Sequence, residues 1–504
     1  MLNRPNTLST LIKGRREQKM VFSDAVFLFL FLPLTLLVYY FPLFRNNISL
    51  RNVWLLVVSL FFYAWGEPLY VLLMILSIVV NYFLGRAVST CAKTKKGKRI
   101  VFLGCVFNLG LLFVFKYLSW ILNMIGISGS ALSHLTLPIG ISFYTFQALS
   151  YVVDVYRKKD EAQTSIINVG LYIAFFPQLI AGPIVRYGSI AEQLKNREHS
   201  FENFSSGAYR FCIGMAKKVL LSNQLAPLSD LAFSSEGSEL SVVLAWSGAL
   251  AYMLQIYFDF SGYSDMAIGL GKMFGFTFNE NFNYPYMSKS ITEYWRRWHI
   301  SLGEWFRDYL YYPLSLGPAI KIRKKLSEKF ERKTAALLST CFVLFVVWMS
   351  TGIWHGANMT FILWGFIQFV FIFWEQNRKP IQNKKLAAVV GFSSTFLIVL
   401  LTKVIFKSEN IGQAIEYYGC MLRLGGNAFL DNTCIYWLGQ YKIALLAGIL
   451  FSFPVVEKIN ELCSGKRVEK VWNLFKLVAV ICIFFVAASY TISGGYNPFI
   501  YFNF

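Results

Sequence analysis

Apolar residues in this chain come in long blocks rather than in alternation with polar ones. Such blocks run from Ala25 to Leu43, Val53 to Trp65, Leu69 to Leu84, Val101 to Leu122, Leu240 to Met273, Ala335 to Met349, Met359 to Phe373, Ala387 to Val404, Ile443 to Val456 and Trp472 to Ala488. A helix needs about 20 mostly apolar residues to cross a bilayer core. The pattern therefore predicts an all-α, polytopic membrane protein with about 10–12 transmembrane helices. Residues 1–19 are polar and basic and read as an extension before a single membrane domain, 20–504. No small-residue cleavage site follows the first block, so it reads as an uncleaved helix.

The joints between blocks carry more information than the blocks. Gly66, Glu67 and Pro68 fit either a kinked helix or a tight hairpin. Residues 137–157, opening with Pro138 and Gly140, and 168–186, with Pro177, Gly182 and Pro183, predict short, broken or re-entrant helices. Irregular backbone survives at that depth only when surrounded by protein. Residues 187–206 read as a polar surface loop, 277–293 as a loop rich in Asn and Tyr, and 291–315 as an amphipathic helical element.

Composition agrees with a bilayer setting: 56% hydrophobic, 18% aromatic, 15% charged, mean hydropathy +0.49. Soluble domains carry about 25% charged residues. The net charge of +21 does not mark nucleic-acid binding, because Lys and Arg gather in short loops (93–99, 157–159, 321–333, 378–385, 466–470) rather than on one continuous face. Loops of this kind mark the cytoplasmic side. The eight cysteines show neither C-x-x-C nor metal-type spacing, so no metal site is expected.

Of four histidines, His134 and His199 sit in polar loops and are read as solvated, without a role. His299 lies in Tyr294–Tyr309, where charges and aromatics crowd together; on a continuous helix it would share a face with Trp295, Leu302 and Phe306. Trp298 flanks it, and Arg297, Ser301, Glu304 and Asp308 form a polar stripe nearby. His355 lies between Trp354 and Gly356, shortly before Asn358. Each imidazole fits either a structural hydrogen bond or a catalytic role; ionisable groups inside membranes usually face a cavity or a partner. A neutral imidazole in a dry site is suited to general-base work. Gln255, Asp259 and Tyr263, each four apart, line one helix face and read as supporting polar contacts. An acid at that depth can also orient a histidine. No phosphate loop, H-E-x-x-H or nucleophile elbow is present.

These histidine segments, together with Val21-Phe22-Ser23, Phe62 to Trp65, Leu137 to Phe143 and Phe258 to Asp265, resemble the membrane-bound O-acyltransferase (MBOAT) family, and within it the bacterial alginate O-acetyltransferase branch. The likeness runs from Met20 onward. It implies a ring of helices around a central tunnel, with His355 as the family's catalytic histidine and His299 as its second motif histidine. It further implies that no cofactor is permanently bound and that the donor is acetyl-CoA or another acyl thioester on the cytoplasmic side of the bacterial inner membrane. The acceptor would be a hydroxyl of an exported polysaccharide, reached through an extracytoplasmic partner protein. Gln368-Phe369 stands where the branch often has a histidine-glycine pair, and Met359 where a tryptophan is common. D-alanyl transfer from a carrier protein to teichoic acid is the nearest alternative. A lipid or glycan transporter with a histidine proton relay is a second, and it would favour inverted repeats, of which none is visible.

Overall fold

The computed structural model describes residues 20–504 except 46, 128–134, 236, 466, 495–499 and 501–504, so the basic extension 1–19 and His134 lie outside the described residues. Its regular structure there is helical throughout. Nine helices among the described residues are long and apolar enough to cross a membrane. The protein is a multi-pass, all-α membrane protein.

Two compact units are present: one runs to Ala208 and includes Met266–Phe278 and Thr491–Ser493, and the other comprises Tyr209–Asp265, Asn279–Tyr490 and Gly494–Phe504. In the first unit, α1 (Phe27–Tyr40) is a shorter apolar helix, followed by spans α2 (Ile48–Gly66), α3 (Tyr70–Ser89) and α4 (Lys95–Met124). Gly66–Pro68 thus separates two crossings, since Pro68 cannot donate a helical hydrogen bond. Of the short, broken or re-entrant helix expected over 137–157, the structure has the short form: one unbroken, buried helix of 17 residues, α5 (Ile141–Arg157), packed on α3 and α4. Gly140 caps it with φ +70, and a Cβ there would stand 2.6 Å from the Leu179 carbonyl oxygen, so glycine is required for both reasons. Residues 168–186 do break: α6 (Ile166–Ala174) stops at Phe175, ahead of Pro177. The presumed surface loop 187–206 is largely helical, with α7 (Tyr187–Lys195) burying Tyr187, Ile190 and Leu194.

The second unit is built on α8 (Val242–Met273), whose last turns from Met266 belong to the first unit. It is the most enclosed span, with 78% of its apolar window buried. This explains the polar groups it carries: they face protein rather than lipid. Asp259 pairs with Lys218 at 2.6 Å, the two side chains 0% and 2% exposed, while Asp265 pairs with Lys217 and Arg210. Isolated charges at such depth are expensive, so their pairing is what makes this sequence tolerable. The short helices α9 (Ile291–Arg297) and α10 (Ile300–Phe306) follow, then spans α11 (Arg332–His355), α12 (Met359–Asn377), α13 (Lys384–Lys407), α14 (Asn432–Phe451) and α15 (Glu469–Ile492).

α11 and α12 share the most extensive helix–helix contact of this unit, and glycines make their approach possible. A Cβ on Gly352 would meet the Phe361 carbonyl oxygen at 2.5 Å, and one on Gly365 the Trp348 carbonyl oxygen at 2.6 Å. Small residues at a crossing point let backbones approach in a membrane, where dispersion contacts drive association. His355 is the last residue of α11, just beyond that crossing.

Candidate active site

The continuous amphipathic helix expected over 291–315 is interrupted at the histidine itself. α9 ends at Arg297, Trp298 is extended, and His299 takes a left-handed conformation (φ 47, ψ 54) as the cap of α10. Trp295 and His299 therefore do not share a helical face. The break is held open by the Asn-rich loop before it. Asn283 N donates to the Arg297 carbonyl (2.9 Å) and Ile300 N to the Asn281 carbonyl (2.9 Å), supplying the bonds that the interrupted helix lacks. At the other end, Glu375 of α12 accepts from Ile291 N (2.6 Å), Thr292 N (2.9 Å) and Thr292 Oγ1 (2.9 Å), placing a carboxylate at the start of α9. Gln368, on the same helix, accepts from Trp295 Nε1 at 3.1 Å.

His299 is 1% exposed and stands edge-on to Phe260, ring centroids 4.5 Å apart. Its Nδ1 lies 3.1 Å from Asn281 Oδ1. The same atom accepts from Ser301 N (3.2 Å) and Ser301 Oγ (2.9 Å), which identifies it as the amide oxygen. Nδ1 is therefore the protonated ring nitrogen, and Nε2 carries the lone pair. Burial lowers the His299 pKa to about 3, so the imidazole is neutral at any working pH. Asn281 plays the orienting part that an acid on α8 was expected to offer, since Asp259 is engaged by Lys218 and by the Ile500 amide.

His355 is 5% exposed and enclosed by rings. Trp354, Trp364 and Phe406 each lie 5.0 Å from it and Phe361 at 6.2 Å. Trp354 also faces His299, centroids 6.2 Å apart. Two imidazoles separated by more than fifty positions thus border a single indole.

Trp298 is buried among Tyr257, Phe282 and Tyr294, stacking on the last at 5.7 Å and 18°. Over its face lies a residue that the sequence reading passed over. The Lys403 ammonium, from α13, is 4.4 Å from the Trp298 ring and 5.0 Å from the Phe406 ring, and the side chain is 4% exposed. Through Phe406, whose ring lies 5.0 Å from that of His355, it is one ring removed from that imidazole. A lone lysine inside the otherwise apolar block 387–404 was the available signal, because such a charge is costly unless it has a task. Asn281 left a fainter trace, as one of several asparagines in a short loop.

Other expected site residues stand elsewhere in the local network. Asn358 caps α12, accepting from Thr360 N (3.0 Å) and donating to the Glu409 carbonyl (2.7 Å), so its amide is used on both sides. Arg297 pairs with Glu293 and donates to the Asn283 carbonyl; Asp308 pairs with Arg307. Gln255, Asp259 and Tyr263 are buried along α8 as supporting groups.

The model of the MBOAT, membrane-bound O-acyltransferase family, matches residues 111–386, a stretch that contains both histidines. The chain is 38% identical to a Pseudomonas putida protein described as a probable alginate O-acetylase, over 96% of this chain and 100% of that one. It is 30% identical to a peptidoglycan O-acetyltransferase of Helicobacter pylori, over 99% and 100%. Its likeness to a teichoic acid D-alanyltransferase of Bacillus subtilis is 26%, over 54% of this chain and 69% of that one.

Proposed function

The chain belongs to the membrane-bound O-acyltransferase family, and from that premise we propose that it moves an acetyl group from a cytoplasmic thioester, such as acetyl-CoA, to hydroxyls of an exported polysaccharide across the bacterial inner membrane. The observation that carries this reading is the meeting of His299 and His355 at the Trp354 indole. Both D-alanyl relatives and acetyl relatives exist, but the acetyl-transferring ones align along nearly the whole chain, which favours acetate as cargo and an extracytoplasmic partner protein as the next carrier.

In this mechanism His355 takes the proton of the acceptor hydroxyl while the hydroxyl oxygen attacks the thioester carbonyl. The tetrahedral intermediate then collapses, the C–S bond breaks, and the thiolate leaves with the proton returned by His355. His299 cannot donate to the oxyanion, because its only N–H points at Asn281. Its Nε2 lone pair instead accepts from a substrate hydroxyl and orients it. The oxyanion falls to Lys403, whose charge acts in a water-poor, aromatic surrounding where such stabilisation is strong.

The test is transfer of labelled acetyl groups by purified protein in proteoliposomes. His355→Ala should lower the rate by about 10²–10⁴-fold. Wild-type transfer by that variant would remove the basis of the reading. A donor series comparing acetyl with D-alanyl thioesters separates the two cargoes.

A further inference from the structure

His199 is not the solvated loop residue its sequence setting suggests; it closes a buried cluster in the first unit that the transfer chemistry does not use. Its Nε2 is 2.8 Å from Tyr39 Oη, and Arg51 Nη1 is 3.0 Å from its ring nitrogens. Tyr39 Oη donates to the Phe274 carbonyl (2.7 Å), so it accepts from His199 Nε2–H and from Arg197 Nε at 3.3 Å. His199 Nδ1 is then the acceptor for Arg51. Arg197 Nη1 donates to Asn52 Oδ1 (2.7 Å) and the Gln193 carbonyl (3.0 Å).

Two guanidiniums, 4% and 6% exposed, are thereby gathered around one neutral imidazole. Among the described residues no carboxylate pairs with either, and Arg51 Nε and Arg197 Nη2 have no hydrogen-bond partner. Aromatic faces contribute something: Arg51 lies over Tyr39 (4.8 Å) and Arg197 over Phe276 (4.3 Å). Cation–π contacts offset only a small part of what burying two like charges costs. Burial, and then Arg51 and Arg197, hold the His199 pKa down to about 4, so the imidazole adds no third charge. The cluster sits where α1 ends at Tyr40 and α2 begins at Ile48, at the ends of two apolar helices. That is the level at which lipid headgroups lie. The more exposed residues at its edge are Tyr40, 37% exposed, and half-buried His199.

We propose that Arg51, Arg197 and His199 form a phosphate-binding site at the membrane interface, taking a phosphate group from an anionic lipid headgroup or from solution. A phosphomonoester, as in inorganic phosphate or phosphatidic acid, matches both the double charge and the planar forks of two arginines, whereas a carboxylate or a phosphodiester would neutralise only one of them. Bound there, it compensates the charge and ties the first turn of α2 to the segment following α7.

The experiment uses the full chain, stripped of lipid in dodecyl maltoside, a detergent without phosphate. One arm adds inorganic phosphate against chloride at equal ionic strength; the other adds phosphatidic acid. The melting temperature should rise in at least one arm, and which arm responds identifies the source. Arg51→Gln and Arg197→Gln should each raise the half-saturating concentration by about tenfold or more. No rise in either arm, or an equal rise in the two variants, overturns the proposal. Should these variants fail to fold, His199→Glu carries the test. It places a carboxylate against Arg51 and should melt no lower than ligand-free wild type while responding to neither probe. A wild-type response from His199→Glu would also overturn it.

Discussion

Asn281 holds His299 from the other side of a broken helix: its amide oxygen faces Nδ1 at 3.1 Å while its own carbonyl accepts the amide of Ile300. One residue thus fixes both the tautomer of the imidazole and the backbone turn that presents it. Asn281→Leu should remove both controls. Activity should fall by about 10–100-fold, as for loss of other groups that orient a working histidine. Stability should drop by about 1–3 kcal/mol, because the Ser301 amide and hydroxyl both lose the Asn281 oxygen they share in a buried place. Paired measurement of kcat and melting temperature checks the two effects together.

The neutral state of His299 has a pH consequence whose sign is definite. Its pKa in the folded protein is about 3, below the ordinary 6.5, so the unfolded chain binds the extra proton first. Folding stability is therefore fully present above pH 6.5 and is lost as pH falls from there toward 3. His299→Gln should flatten that part of the stability curve, as read by melting temperature against pH in detergent. An unchanged slope would mean that His299 is not held neutral by burial.

Lys403 should show opposite effects on stability and rate. Lys403→Met removes a buried charge that, among the described residues, rests on the faces of Trp298 and Phe406, so the variant should melt higher than wild type. The same change should lower kcat by about 10²–10³-fold if the ammonium meets the oxyanion. A merely structural lysine would move stability without this loss in kcat at unchanged KM.

The Gly352–Gly365 crossing sets the reach of His355. Adding a methyl group at either glycine forces backbone apart, at about 1–3 kcal/mol for overpacking. Gly365→Ala should leave the protein in the membrane but reduce transfer, because His355 is carried on the displaced end of α11. Expression level and specific activity, measured on one preparation, separate the two outcomes.

Asp259 and Lys218 give the complementary case of a pair that supports without reacting. Either Asp259→Leu or Lys218→Met alone should cost about 3–5 kcal/mol, since each leaves its partner's charge buried. The double variant should recover most of the loss and retain transfer. An inactive but stable double variant would assign this pair to the chemistry.

Much of this was legible in the apolar blocks. The spans α2 to α4, α8, α11 to α13 and α15 lie close to where hydropathy puts them, because a bilayer demands that length of helix whatever the tertiary context. α14 does not: it starts at Asn432, well before the block that opens at Ile443, because the Asp431 cap rather than hydropathy sets its beginning. The regularity of α5 escaped because burial in protein, not lipid, lets Thr145, Gln147 and Asp154 lie inside a regular helix. The two histidines of the candidate site were visible as polar groups in apolar company. The turn at His299 was not, because its cause lies in Asn281 and Asn283, outside the helix it interrupts. His199 was misread for the same reason: the residues that bury it, Tyr39 and Arg51, come from the far end of the unit's sequence.

The left-handed backbone at His299 (φ 47) sets two selective demands against each other. For the main chain alone, glycine would be preferred there, by about 1–2 kcal/mol over a residue with a β-carbon. Replacing His299 by glycine should therefore relieve the turn while erasing the ring. That relief is local: a ring 1% exposed and packed edge-on against Phe260 leaves a void when removed, so the turn is kept strained by the side chain it has to present.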